Sequence, residues 1–247
     1  KTLFAPDMDG ASVTGRIAGL CRNLADEVAV ALNADEFPVV IGGDHSVAIG
    51  TWSGVARALG GPVGLLWIDA HLDSHTPETS YSGAIHGMPL ACLLGRGDKR
   101  LLNIGLTGAQ VSPAHTVVIG PRSYEAEELE FLQRMQVRII DSDEILRRGF
   151  ADCLDEAIAI VVGAPAGFGV TVDLDAIDPQ LAPGVGSPEP DGLVVHDVLE
   201  AMRRIGGLPG LKAMEIVEFN PDRDRHGTTA GLISDLIGEL LPPGNDR

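Results

Sequence analysis

The stretch LLWIDAHLDSH, residues 65–75, decides the fold that the sequence predicts. Its first four residues are apolar and are typical of a buried strand, and they run directly into Asp69, His71 and Asp73. Successive side chains of an extended segment alternate between faces, so these three ionisable groups are expected on one side of the chain. Crowded together, they repel or desolvate one another unless a cation lies between them. The stretch therefore predicts a cation site at the end of a strand.

Similar apolar runs alternate with helical patterns along the chain. Strands are predicted at residues 37–43, 62–70, 115–120, 137–141, 167–175 and 211–219, and helices at residues 46–59, 124–135, 153–162, 194–205 and 229–240. The strands are rich in Val, Ile and Leu, which is typical of strands that are buried on both faces. The alternation predicts an α/β fold with three α/β/α layers around a central, mainly parallel sheet. We expect a single domain over residues 1–247.

The composition excludes several classes of protein. With 35 acidic and 18 basic residues the formal net charge is −17, which disfavours binding to the phosphates of a nucleic acid. The sequence contains neither an apolar run of membrane-spanning length nor a signal pattern, so no membrane partner is expected. The three cysteines are scattered among apolar neighbours, which favours a reducing compartment over a disulfide framework. We therefore expect a cytoplasmic protein.

Two other predicted strands end in residues that can bind a cation. The segment GGDHS presents His45 after a Gly-Gly turn, and the segment TVDLDAIDP presents Asp173 and Asp175. Taken alone, such a histidine is commonly a hydrogen-bonded loop residue, and Asp-x-Asp is commonly a cap or a turn. Ligands of open parallel sheets, however, bind at the carboxyl ends of the strands. Together with residues 69–73, the three strand ends offer two imidazoles and four carboxylates.

Six such groups indicate two metal ions. A single tetrahedral zinc takes four ligands, whereas two ions about 3.5–4 Å apart can share six residues, some of them bridging. Four carboxylates also balance the charge of two divalent cations. Oxygen-rich ligands favour Mn²⁺, although Zn²⁺, Co²⁺ and Ni²⁺ bind such sites at least as tightly. Because two ions can lower the pKa of a shared water from 15.7 towards about 7, the sequence predicts a hydrolase with two divalent metal ions.

Two further residues are candidates for the chemistry. His86, in SGAIHGMPL, follows the metal-binding loop and is suited to protonate a leaving amine, although it could also cap a helix that starts near Gly87. Glu218, in EIVEFNP, ends the last strand, where its carboxylate could pair with a cationic substrate or form an ordinary salt bridge. Glu215, three residues earlier, is expected on the opposite face of that strand.

The five motifs together resemble those of the arginase and agmatinase family, the ureohydrolases. They occur in the family's order and approximate spacing, from about residue 36 to the C-terminus. The resemblance implies an arginase-like α/β fold, two Mn²⁺ per chain, a trimer or hexamer, and hydrolysis of a guanidino or similar amidine group. Family members begin with a further strand before the region of Lys1, so this chain is expected to lack it. The implied metal ligands are His45, Asp69, His71, Asp73, Asp173 and Asp175.

The resemblance also implies roles for the remaining site residues. His86 matches the histidine that shuttles the proton, and Glu218 matches the glutamate that pairs with the guanidinium. Asp73 would, besides binding metal, orient the attacking hydroxide. The implied catalytic residues are therefore His86, Asp73 and Glu218.

The loop that reads the substrate's tail is most similar to that of bacterial arginases. Ser82 is retained, whereas His75 and Ala84 replace asparagines, and Glu125 stands nearest to an Asp-rich arginase stretch. The implied substrate-binding residues are His75, Ser82, Glu125 and Glu218. A missing hydrogen-bond partner can change discrimination between substrates by a large factor.

The predicted reaction is hydrolysis of L-arginine to L-ornithine and urea. Agmatinase, guanidinobutyrase or formimidoylglutamase activity is the alternative, because only the groups that bind the tail would differ. A zinc deacetylase of related fold would need one metal and would leave His45 unexplained. A non-catalytic scaffold stabilised by metal is a further alternative, since metal binding alone stabilises a native state. His86 and Glu218, which neither metal needs, argue against the scaffold.

Overall fold

Six strands form one sheet in the computed structural model, which describes residues 1–4 and 11–241. The sheet order is β1-β6-β5-β2-β3-β4, and all neighbouring strands are parallel. Each predicted strand overlaps one of them, which confirms the predicted parallel sheet. The strands are β1 (Val39–Ile41), β2 (Val63–Ile68), β3 (Val111–Ile119), β4 (Arg138–Ile140), β5 (Phe168–Asp173) and β6 (Leu211–Val217).

Helices connect the strands in the described part of the chain. Five overlap predicted helices, whereas α1, α3 and α5 were not predicted. None of the helices in this part of the chain is both long and apolar enough to cross a membrane. The helices are α1 (Val13–Asn33), α2 (Ala48–Leu59), α3 (Pro89–Leu93), α4 (Ala126–Arg134), α5 (Ser142–Arg148), α6 (Phe150–Val161), α7 (Val195–Gly206) and α8 (Thr228–Leu240), with 3₁₀ turns at His45–Val47, Ile85–Gly87 and Leu174–Ala176.

The sheet carries an apolar core on each face. Leu66 and Ile68 of β2 pack in a core with residues of α6, α7 and α8. Leu65 and Trp67 of the same strand pack in a second core with residues of α2, α3 and α4. Alternating residues of one strand thus face opposite cores, as expected for a sheet covered on both sides. This arrangement confirms the predicted three-layer α/β/α fold.

Helices α1 and α2 pack against each other through small residues. A Cβ at Gly50 would lie 2.7 Å from the carbonyl oxygen of Cys21, and one at Gly54 would lie 2.6 Å from the carbonyl oxygen of Ala25. Only glycine permits the two backbones to approach so closely. Small residues thus set the distance between the two backbones, while Leu24 and Val28 of α1 pack beside Gly50 and Gly54.

Gly169 of β5 leaves room for the indole of Trp52, so a larger residue there is expected to destabilise the fold. A Cβ at Gly169 would lie 2.1 Å from Cζ3 of the fully buried Trp52 ring. We expect Gly169→Ala to lower the free energy of unfolding by about 1–3 kcal/mol, which denaturant titration measures. Gly231→Ala is the matched control, because Gly231 is exposed in α8 with open space around it. Gly231→Ala should raise the free energy of unfolding by about 0.5–1 kcal/mol. A Gly169→Ala protein as stable as the wild type would contradict this account of the packing.

Candidate metal centre

Four adjacent strands carry the site. Strands β1, β6, β5 and β2 are parallel neighbours, so their carboxyl ends meet at one edge of the sheet. Because β2 ends at Ile68 and β5 at Asp173, the later residues lie in loops or in the turn Leu174–Ala176. Asp69, His71 and Asp73 are therefore brought together by the fold of a loop and not by alternation along an extended strand. The physical reason differs from that of the prediction, although the residues do converge.

His45 lies at the centre of the first ligand cluster. Its Nδ1 is 3.1 Å from Oδ2 of Asp69, 3.0 Å from Oδ2 of Asp73 and 3.1 Å from Oδ2 of Asp173. All four residues are buried. Although three carboxylate oxygens surround Nδ1, it makes no hydrogen bond of acceptable geometry to a described residue. A buried imidazole nitrogen surrounded by carboxylates in this way is suited to bind a cation. The donor atoms of the four residues lie within 4.8 Å of one another.

His71 forms a second cluster beside the first. Its Nδ1 is 3.3 Å from Oδ2 of Asp175 and 3.5 Å from Oδ1 of Asp69. Asp69 belongs to both clusters and directs one oxygen to each histidine. Two adjacent clusters joined by a shared carboxylate suit two cations better than one. The structure thus brings together all six residues that the sequence predicted as metal ligands.

The pKa values of the clustered residues are strongly shifted when only protons balance the negative charge. Burial and the neighbouring charge of Asp69 raise the pKa of Asp73 to about 7, and burial with the charges of Asp175 and Asp69 raises the pKa of Asp173 well above its usual range. Burial lowers the pKa of His71, but the carboxylates around it outweigh that effect and raise the pKa to about 12. Metal ligands must lose such protons, so cation binding here would release them.

Trp67 supports the first cluster and was not predicted from the sequence. Its Nε1 donates to Oδ2 of Asp69 at 2.7 Å, and its ring stacks on the ring of His45 with centroids 4.1 Å apart. Hydrogen bonds of this kind fix the orientation of metal ligands. The usable signal was the alternation of β2, which places Trp67 two residues before Asp69.

His86 and Glu218 contact each other at the wall of the site. Nδ1 of His86 is 3.2 Å from Oε1 of Glu218, and the same oxygen accepts the backbone N–H of His45 at 2.9 Å. The hydrogen bond to Glu218 raises the pKa of His86, against a smaller lowering by burial. His86 lies in the turn Ile85–Gly87, three residues before the next helix begins at Pro89. Both residues therefore lie beside the ligand clusters, and neither belongs to a cluster.

Two site residues adopt a left-handed backbone conformation. The φ angle is 47° at Asp73 and 64° at Glu218. Such conformations cost non-glycine residues about 1–3 kcal/mol and concentrate at functional sites. The carboxylates of both residues contact other site residues, that of Asp73 at His45 and that of Glu218 at His86.

A small cleft of about 290 Å³ opens onto the clusters. In its outer part, Nε2 of His75 lies 3.0 Å from Oε2 of Glu125, and Nδ1 lies 3.1 Å from Oγ1 of Thr79. Ser82 also lines the cleft, where its Oγ accepts the backbone N–H of Ala84. The volume is at the low end for small-molecule sites. All three predicted tail-binding residues therefore line the same cleft as the clusters.

Known proteins share this fold and much of the sequence. The chain matches the model of the arginase family over residues 4–242. It is 39% identical to the arginase of Bacillus caldovelox over 225 residues, which cover 91% of this chain and 75% of that protein. It is 40% identical to the arginase of Brevibacillus brevis over 224 residues, or 89% of this chain and 75% of that one. The solved structure of the Bacillus caldovelox arginase matches with a TM-score of 0.89 and 36% identity, over 98% of this chain and 82% of that chain. The predicted arginase-like fold is thereby confirmed.

Proposed function

The chain belongs to the arginase family, and from that premise we propose that it hydrolyses the guanidino group of a small substrate to urea and an amine, with L-arginine as the first candidate. The observation that carries the proposal is the pair of clusters joined by Asp69 at the floor of a small cleft. The proposal is supported by His86 and Glu218, which contact each other at 3.2 Å and line the same cleft as the clusters.

The residues present fit two divalent ions. His45 Nδ1 is a buried nitrogen without a hydrogen bond to a described residue, and carboxylates supply the other donors. We propose Mn²⁺ because the donor set is rich in oxygen. One ion would be held by His45, Asp69, Asp73 and Asp173, and the other by His71, Asp69 and Asp175. When bound, such ions supply the Lewis acidity that makes a water nucleophilic near neutral pH.

Glu218 is proposed to hold the guanidinium. A carboxylate pairs with this planar cation through charge-assisted hydrogen bonds. The backbone N–H of His45 donates to Oε1 of Glu218, and Glu218 lines the cleft. Glu218 therefore orients the guanidino carbon above the ligand clusters, and the buried carboxylate of Asp73 can accept a hydrogen bond from the attacking water.

His86 is proposed to protonate the leaving amine. An amine is a poor leaving group until it gains a proton, and an imidazole with a pKa near neutrality suits that transfer. The hydrogen bond to Glu218 raises the pKa of His86, which keeps its ring protonated to higher pH. The ring is about half-exposed in the cleft, where it can exchange its proton with solvent.

The tail of the substrate is proposed to bind at His75, Ser82 and Glu125. Agmatine and guanidinobutyrate are alternative substrates, because they differ from L-arginine at the end that these residues would contact. Formiminoglutamate is a further alternative, which carries a formimino group in place of the guanidino group. From the sequence resemblance we also propose a homo-oligomer, a trimer or hexamer, in the cytoplasm.

The decisive experiment combines a metal count with a substrate screen. Protein loaded with Mn²⁺ is assayed for urea release from L-arginine, agmatine and guanidinobutyrate, and for ammonia or formamide release from formiminoglutamate. We expect two metals per chain and urea from L-arginine. Activity on only one of the other compounds would change the assigned substrate and leave the proposed hydrolytic reaction type in place. Two bound metals without hydrolysis of any compound would contradict the proposal and favour the scaffold.

A further inference from the structure

A buried chain of hydrogen bonds lies behind His45, on the side away from the carboxylates. Nε2 of His45 is 3.2 Å from Oγ1 of Thr171, which donates to Oε2 of Glu215 at 2.8 Å. The same oxygen of Glu215 accepts the indole N–H of Trp52 at 3.2 Å. Thr171 and Glu215 are partners in the register of β5 and β6, and all three residues beyond His45 are fully buried.

The direction of this chain follows from the donors that it contains. The indole of Trp52 can only donate, and a carboxylate oxygen that receives it can also receive the hydroxyl of Thr171. Because the hydroxyl proton of Thr171 is committed to Glu215, the lone pairs of Thr171 face Nε2 of His45. The network therefore places the proton of a neutral His45 on Nε2 and leaves the lone pair of Nδ1 facing the carboxylates.

Among the described residues, no lysine or arginine forms an ion pair with Glu215 that would compensate for its burial. Its neighbours in the chain of hydrogen bonds are an indole and a hydroxyl, and burial raises its pKa. A carboxylate in the core destabilises a fold unless its contacts compensate or it serves another purpose. An apolar residue would fill the same position between β5 and α2 without that cost.

We propose that Glu215, acting through Thr171, is a positioning residue that selects the tautomer of His45 and so sets the affinity of the metal site that His45 serves. The proposal rests on the proposed function only in taking His45 as a metal ligand. Outer hydrogen bonds of this kind raise the basicity of a ligating histidine and fix its ring.

The second histidine has no comparable support in the described part of the chain. Nε2 of His71 lies 3.7 Å from Oε1 of Glu189, and both side chains are partly exposed. A distance of this length is too great for a direct hydrogen bond. Changes in the chain of hydrogen bonds behind His45 should therefore weaken one metal site and leave the other nearly unchanged.

The test measures Mn²⁺ binding to the full chain, stripped of metal and without substrate. Equilibrium dialysis and titration calorimetry follow two variants, Thr171→Val, which removes the hydroxyl, and Glu215→Gln, which removes the charge and keeps the shape. His45→Asn identifies which binding step belongs to the His45 site. We expect roughly 10–100-fold weaker binding at that site in Thr171→Val, a loss at the low end of this range in Glu215→Gln, and a change below about twofold at the other site.

Two controls separate positioning from general damage to the core. Thr171→Ser keeps the hydroxyl and should bind as the wild type does. Ser53→Ala changes a buried polar residue of α2 that lies outside this chain of hydrogen bonds, since its Oγ has no hydrogen-bond partner among the described residues. This variant should leave metal binding at both sites unchanged. Circular dichroism checks that each variant is folded.

The outcomes are distinct from those of the substrate screen. Unchanged binding in a folded Thr171→Val or Glu215→Gln protein would overturn the proposal, as would equal weakening of both sites. A wild-type protein that binds two metals but hydrolyses none of the compounds would contradict the proposed function and would not affect the proposed positioning role of Glu215. A wild-type protein with no metal at the His45 site would overturn both.

Discussion

Replacing His86 by asparagine is expected to lower kcat by about 10²–10⁴-fold and to leave two metals bound, because this is the range typical of general acid–base catalysis. Asparagine is polar and similar in size but carries no proton that it can give up near neutral pH. His86 contacts Glu218 at 3.2 Å and belongs to neither ligand cluster, so its loss should not disturb metal binding. Steady-state urea release and a metal count on the same preparation measure both parts.

A matched histidine variant controls for the change itself. His196→Asn replaces an exposed histidine of α7, outside the residues that line the cleft, and should keep wild-type turnover. Unchanged turnover in His86→Asn would remove the residue from the mechanism. Loss of bound metal in that variant would instead contradict its placement outside the ligand set.

Asp173→Ala is expected to lower metal stoichiometry and thermal stability together. The carboxylate of Asp173 lies 3.1 Å from Nδ1 of His45 and is buried, so the variant loses a donor from the first cluster. An ion that binds only the native state at 100 times its Kd stabilises it by about 2.7 kcal/mol, and this contribution disappears with the site. The comparison is made by thermal unfolding of both proteins in excess Mn²⁺ and in a chelator.

The chelator measurement distinguishes a metal ligand from an ordinary core residue. Without metal, burial and the charges of Asp175 and Asp69 disfavour the ionised form of Asp173, as its raised pKa indicates. The stability difference between variant and wild type should therefore shrink in the chelator. Asp235→Ala, at an exposed position of α8, should match the wild type in both conditions. A stable and fully loaded Asp173→Ala protein would contradict the assignment.

The parallel sheet and the set of clustered residues could be predicted because their signals are local. Each strand is a short apolar run, and each predicted metal ligand follows such a run within a few residues. Parallel topology then brings the strand ends to one edge. That these residues bind two Mn²⁺, and that His75, Ser82 and Glu125 bind a substrate tail, stay predictions.

Features that depend on distant packing could not be predicted in the same way. Helix α1 buries Ala18, Cys21 and Ala25 at helical spacing, but these side chains are small and carry less apolar surface than Val, Ile or Leu, so their pattern is harder to recognise. The contact of Glu215 with Thr171 requires the register of β5 with β6, and residues 44 positions apart form it. Alternation predicts that Glu215 and Glu218 point to opposite faces of the strand, but Glu218 lies just beyond β6 in a left-handed conformation, and alternation does not reveal what either side chain contacts.

The left-handed backbone at Asp73 and Glu218 has a consequence for protein engineering. Glycine is the residue that these φ angles of 47° and 64° favour, whereas the proposed chemistry needs a carboxylate at both positions. A library screened for heat resistance in the presence of a chelator should therefore enrich glycine at residues 73 and 218. The same library screened for turnover should keep the two acids. Selection for heat resistance and selection for activity thus favour different residues at these two positions. Directed evolution of a heat-resistant catalyst therefore has to keep Asp73 and Glu218 unchanged.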